Sequence, residues 1–262
     1  KCAESGMNTM HMTDNTIFIT GGASGIGRGL AEAFHKLGNT VIIAGRRKAL
    51  LDEVTAANPG MQSIELDIND PASINDVAQT LIQRYPALNV LVNNAGIMPF
   101  DDAAGHIDDA TMVGTLTTNF MGPVRLTSAL IEHLKSQPRS VIINNTSVLA
   151  FVPLAGNAVY SATKAALHSY SLSQRFTLRD TTVTVQEIAP PWVNTDLIYK
   201  GDDPRAMPLD AFIAETMAGL ATDTPEVIVE AIRPLRDNPG SQEHGLIHGF
   251  NQSLVDNPIP VS

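Results

Sequence analysis

A single cysteine, Cys2, stands in the whole chain, so an intrachain disulfide framework is excluded. Basic residues are scarce as well. Lys and Arg number 17 against 27 Asp and Glu, and the formal net charge of −10 argues against a nucleic-acid partner. No apolar run is long enough to span a membrane. Residues 1–13 lack the apolar core of a signal peptide and read as a flexible leader or an expression remnant, with Met7, Met10 and Met12 as candidate starts. The remaining 14–262 suit one domain with a substantial core, and a cytoplasmic protein is the default expectation.

What is present is an alternation of strand and helix. Thr16–Ile19, Val41–Ala44, Ser63–Leu66, Val90–Val92, Ser140–Ile143 and Thr184–Ile188 are short, β-branched, largely apolar runs. Helical spacing falls over 28–37, 48–57, 72–84, 110–136, 157–179 and 225–236. Apolar strands between amphipathic helices predict an α/β fold: a single doubly wound Rossmann-type domain with a parallel sheet and helices on both faces. Ligands then bind beyond the carboxyl ends of the strands. The region 196–224 is rich in Pro, Asp and Gly and shows no strand. Gly245–Gly249 reads as a last strand. Its two glycines argue against a helix, so His244 and His248 are taken as incidental surface residues, and no metal is expected.

The run Thr20-Gly21-Gly22-Ala23-Ser24-Gly25-Ile26-Gly27 follows the first strand and opens the first helix. Strand, glycine-rich turn and helix form the setting of a dinucleotide fingerprint. Glycines let backbone approach a pyrophosphate, and the helix start offers free N–H groups and the positive end of its dipole. Gly21, Ser24, Gly25, Ile26 and Gly27 are therefore candidate cofactor contacts. Farther on stand Ser147, Tyr160 and Lys164. A spacing of four places Tyr160 and Lys164 on one helix face. The ammonium is expected to lower the phenol pKa and make Tyr160 a proton donor or acceptor near neutrality. A serine hydroxyl beside it can hydrogen-bond a substrate oxygen as charge develops.

These segments, together with Asp67, Asn93-Asn94-Ala95-Gly96, Asn119 and Pro190 to Thr195, resemble in order those of the short-chain dehydrogenase/reductase family, over 16 to about 197. Ala44-Gly45-Arg46, and Pro190-Pro191 where most of the family has Pro-Gly, resemble the DltE-like bacterial oxidoreductases. The resemblance implies that Tyr160 donates the proton, Ser147 holds the substrate oxygen, and Lys164 assists Tyr160 and binds the nicotinamide ribose. It implies that Asn119 supports a water relay to that lysine. A local backbone role for Asn119 is an equal and compatible alternative. Asp67 would hold the adenine amino group, while Asn93, Ala95 and Gly96 line the cofactor. Pro190, Val193 and Thr195 would face the nicotinamide, and Pro191 removes an N–H there. The family also implies a homodimer or homotetramer built on the helices at 110–136 and 157–179, and a lid at 196–224.

An NAD-preferring site ends its second strand with an acid; here Gly45 is followed by Arg46 and Arg47. Guanidinium groups suit a 2′-phosphate, so NADPH is favoured over NAD, although Ser24 stands where many NADP-using relatives carry a basic residue. Met98, Phe100, Leu149, Phe151, Leu154 and Trp192 suggest a hydrophobic ketone or aldehyde as the small-molecule substrate. The alternative is a non-catalytic dinucleotide-binding sensor or scaffold. A sugar-nucleotide epimerase needs a larger C-terminal domain than this chain has room for.

Overall fold

The computed structural model describes residues 9–237 and 240–260. Seven parallel strands form one sheet: β1 (Thr16–Thr20), β2 (Thr40–Gly45), β3 (Gln62–Glu65), β4 (Leu88–Asn93), β5 (Ser140–Asn145), β6 (Val183–Ile188) and β7 (Glu226–Val227), in the order β3-β2-β1-β4-β5-β6-β7. The order reverses at β1, which pairs with both β2 and β4. That reversal opens a crevice at the carboxyl ends of β1 and β4.

Alternate residues of each strand feed opposite cores. Ile17 and Ile19 of β1 pack with Leu30, Ala31 and Phe34 of α1 (Gly25–Lys36), and with Leu51 and Val54 of α2 (Lys48–Ala57). Phe18 faces the other way. It joins Ile74, Val77 and Leu81 of α3 (Pro71–Arg84) and Leu126, Leu130 and Leu134 of α5 (Gly122–Ser136). Each such fully buried side chain contributes about 1.5–3 kcal/mol.

The expected helix over 110–136 is continuous but not uniform. It comprises α4 (Asp109–Leu116), a π-helical turn at Thr117–Met121, and α5. The wide turn occurs where Asn119 reaches sideways to other segments, and such bulges divert a side chain out of the regular ladder. Then follow α6 (Ala158–Thr177) and α7 (Leu209–Leu220). α7 lies inside the segment expected as a lid, yet it is packed: Ile213 lies against Gly29 of α1 so closely that a Cβ there would meet it at 2.7 Å.

Three expectations are corrected. The helix over 225–236 is instead β7, a 3₁₀ turn (Glu230–Ile232) and the short α8 (Arg233–Arg236), because Glu226 and Val227 pair with Glu187 and Ile188 of β6. The strand at Gly245–Gly249 lies within α9 (Glu243–Asp256). Its glycines face open space, and Phe250 and Leu254 anchor the helix on the core. Each glycine weakens a helix by about 1 kcal/mol, which apolar packing at i, i+4 offsets. Residues 9–13 are fastened rather than loose. Met10 is buried, and the carbonyls of His11 and Met12 accept from Asn15 and Asn39; residues 1–8 lie outside the described residues. Among the described residues no helix is long and apolar enough to cross a membrane.

Candidate active site

Three strand ends are stapled together beneath the crevice. Thr20 Oγ1 accepts from the backbone N–H of Asn94 and of Ala95, both at 3.0 Å. Asn94 Nδ2 returns to the carbonyls of Thr20 and Gly21 at 3.1 and 3.3 Å. Asn145 Nδ2 donates to Asn94 Oδ1 at 2.7 Å, which brings in β5. The glycine turn is shaped by sterics. Gly21 and Gly25 have φ of 64° and 54°, the left-handed region that favours glycine. A Cβ on Gly27 would lie 2.1 Å from the Gly21 carbonyl oxygen. Ser24 is the N-cap of α1, but its side chain makes no capping bond.

β5 delivers Ser147, whose hydroxyl accepts from Leu149 N at 3.1 Å and starts a 3₁₀ turn (Val148–Ala150). α6 delivers Tyr160 and Lys164. Its start is held by Asp101, whose carboxylate accepts from Ala158 N and Val159 N at 2.9 and 2.8 Å. Lys164 Nζ donates to Asn145 O at 2.9 Å and lies 5.6 Å from the centre of the Tyr160 ring.

The ionisation of this group departs from expectation. Burial pushes the Tyr160 phenol up to about 12, against a smaller opposing pull from its hydrogen bond with Ser147. Burial also pulls Lys164 down to about 8. The lysine does not hold the tyrosine low, because loss of water penalises both charged forms. At neutral pH Tyr160 is a protonated phenol.

One cavity of about 560 Å³ joins these parts. Gly21, Ser24, Gly25, Ile26, Arg47, Ala95 and Gly96 border it, as do Ser147, Tyr160, Lys164, Pro190, Val193 and Thr195. Asn119, Gly27, Arg46, Asp67 and Asn93 do not. Asn119 clamps Ile97, accepting from its N–H and donating to its carbonyl at 2.9 Å each, and also donates to Thr163. These partners lie 22 and 44 residues away, so Asn119 ties its π-helical turn to the Ile97 loop and to α6. Asn93 points into the core, where Nδ2 donates to Thr127 and Asn144; Asn94 is the asparagine at the crevice. Asp67 Oδ1 accepts from Asn69 N and braces its own turn. Gly27 closes the glycine loop from behind, and Arg46 is exposed beside Arg47.

The far wall went unread in the sequence. Phe250 and Leu254 of α9, Ile259 beyond it and Ile232 and Leu235 before it line the cavity together with Trp192 and Leu149. The i, i+4, i+8 series Leu246, Phe250, Leu254 was the available signal, masked by Gly245 and Gly249. Asn251 fastens α9, donating to Pro153 O and accepting from Ala155 N. Arg205 lies 5.3 Å from the Trp192 ring and donates to the carbonyls of Asn257 and Pro258.

A nicotinamide dinucleotide fits the donor set. The glycine turn leaves a cradle that side chains would fill, and buried Asn145 Oδ1 at the cavity edge has no partner.

The pattern described as short chain dehydrogenase matches residues 15–205. Among curated proteins, an uncharacterized oxidoreductase DltE from Bacillus subtilis is 41% identical over 234 residues, covering 87% of this chain and 93% of that protein. The NADP-dependent 3-hydroxy acid dehydrogenase YdfG of Shigella flexneri is 30% identical over 221 residues, covering 82% and 86%. A short-chain dehydrogenase structure from Streptomyces avermitilis superposes with a TM-score of 0.78 at 26% identity, covering 94% and 100%.

Proposed function

The chain belongs to the short-chain dehydrogenase family of oxidoreductases and is DltE-like, and from that premise we propose that it reduces a hydrophobic ketone or aldehyde to its alcohol with NADPH. One observation carries the reading: Ser147, Tyr160 and Lys164 share the wall of a single cavity whose far side is apolar.

When bound, the reduced nicotinamide supplies a hydride to the carbonyl carbon. The chain's own residues handle the oxygen and the proton. Ser147 donates a hydrogen bond to the substrate oxygen. Tyr160 gives its proton to that oxygen, and a phenol protonated up to about pH 12 is in the state a donor requires. An alkoxide is a far stronger base than a phenolate, so the transfer runs downhill. Lys164 then faces the new phenolate as an ammonium and steadies it. Asn119 fixes Ile97, next to Gly96, and so holds the floor beside Lys164. Trp192, Leu149, Phe250 and Leu254 line the cavity with apolar surface, which favours apolar substrates. The lid of this reading is the stretch 194–207 and not α7. Its neck is closed by Asn194 N to Met207 O and Met207 N to Trp192 O.

NADPH is favoured because Gly45 ends β2 without an acid and Arg47 borders the cavity. The name of the Shigella relative, an NADP-dependent enzyme, points the same way. A homodimer or homotetramer is part of the reading, supported by exposed Leu172 and Phe176 on α6 and Val113 on α4.

The test is nicotinamide absorbance with NADPH and with NADH across aldehydes, aryl ketones and keto esters. Carbonyl-dependent NADPH oxidation is expected. Cofactor binding with no turnover on any carbonyl would instead support a sensor or scaffold.

A further inference from the structure

His168 sits one turn beyond Lys164 on α6, and no step above uses it. Its Nδ1 lies 2.8 and 2.9 Å from the two carboxylate oxygens of Glu187. Glu187 belongs to β6 and is completely buried. The same carboxylate accepts from the Thr146 hydroxyl at 2.7 Å, and Thr146 is the residue before Ser147. On its other side the imidazole meets the Phe151 ring edge-on, with centroids 4.7 Å apart and planes at 80°. Phe151 closes the 3₁₀ turn that Ser147 begins.

One imidazole therefore reaches both ends of the segment 146–151: Thr146 through Glu187, and Phe151 directly. Ser147 lies between them. A fully buried carboxylate is strongly unfavourable when one partner is taken away, so this link is stiff. The surroundings are satisfied. Glu226 Oε2 stands 3.9 Å from the same Nδ1 and is paired with Arg236. Arg236 stacks 4.0 Å over Phe151, and Arg175 lies close enough to both acids to feel their charge. The His168, Glu187 and Glu226 donor atoms lie within 4.8 Å of one another, but hydroxyl, imidazole and guanidinium already engage the carboxylates.

We propose that His168, acting through Glu187 and Thr146 and through Phe151, is the positioning residue that holds the Ser147 hydroxyl in register with Tyr160. The proposal rests on the reading of Ser147 given above. α6 then supplies three things at once: the proton donor, the cation beside it, and the brace on the opposing hydroxyl. Its physical weight comes from geometry, since a misplacement of about 1 Å in a reacting group can lower turnover by roughly a hundredfold.

The test is a double-mutant cycle against Ser147, with turnover of the best carbonyl substrate and NADPH binding both measured. His168→Gln and Thr146→Val are each made in the native chain and in Ser147→Ala. Thr146→Val removes a single hydroxyl and keeps the side-chain shape, so it serves if His168→Gln does not fold. In the native chain kcat should fall about tenfold or more, with NADPH affinity unchanged. In the Ser147→Ala chain neither substitution should lower kcat further, because residues acting through one group are not additive. Losses of equal size in both backgrounds, or no loss in either, overturn the proposal alone. Full turnover by Ser147→Ala overturns the reading of Ser147 and this proposal with it.

Discussion

Lys164→Met should make the protein more stable while removing its activity. The ammonium is buried and its pKa is drawn from 10.5 to about 8, with burial the only resolved cause. A difference of that size corresponds to about 3 kcal/mol against the charged folded form. Between pH 8 and 10.5 the unfolded chain keeps a proton that the folded chain has released, so stability rises with pH across this window. Below it the full penalty is present. Methionine has a similar length and no charge, but it leaves Asn145 O without the donor at 2.9 Å, a loss of about 1–3 kcal/mol. The net gain at pH 7 is then about 1 kcal/mol, or roughly 2–4 °C in Tm for a chain of this size. Thermal melts of the two proteins at pH 7 and near pH 10.5 are the assay. The advantage of Lys164→Met should shrink to nothing or reverse at the higher pH. A variant less stable at pH 7 by an amount independent of pH would refute the argument that desolvation dominates this lysine.

Arg47→Ala should weaken NADPH roughly tenfold to a hundredfold, leave NADH nearly unaffected and flatten the salt dependence; equal weakening of both in binding titrations would remove Arg47 from 2′-phosphate recognition. Gly27→Ala pushes a Cβ to 2.1 Å from the Gly21 carbonyl oxygen, so denaturant unfolding should report a loss of about 1–3 kcal/mol together with weaker cofactor binding. Asp101→Ala takes two acceptor bonds from the start of α6 and should lower stability by about 1 kcal/mol while slowing turnover, since Tyr160 rides on the first turn of that helix; unchanged kinetics would separate the cap from the site.

The strands and most of the cavity wall were legible because their signals are local. β1 to β6 are β-branched runs with helical periods between them, and the glycine turn is recognisable from neighbouring residues alone. What escaped depended on tertiary context. β7 is two residues long and exists because the edge of β6 is there to pair with. α9 carries glycines that weaken its local signal, and only packing against the cavity reveals its apolar series. Asn93 and Asn94 are adjacent and chemically identical, and strand alternation sends one to the core and the other to the crevice. The raised pKa of Tyr160 could not be foreseen either, since helical spacing sets the distance to Lys164 but says nothing of how little water reaches the pair.

The most direct measurement is the turnover of Tyr160→Phe with NADPH and the best carbonyl substrate, alongside its NADPH binding curve. The buried phenol loses one oxygen and, with it, the hydrogen bond to Ser147. The account requires turnover to fall by several orders of magnitude with the binding curve unmoved. Turnover near that of the native chain would mean that the proton comes from another group, and Tyr160 would lose its central place.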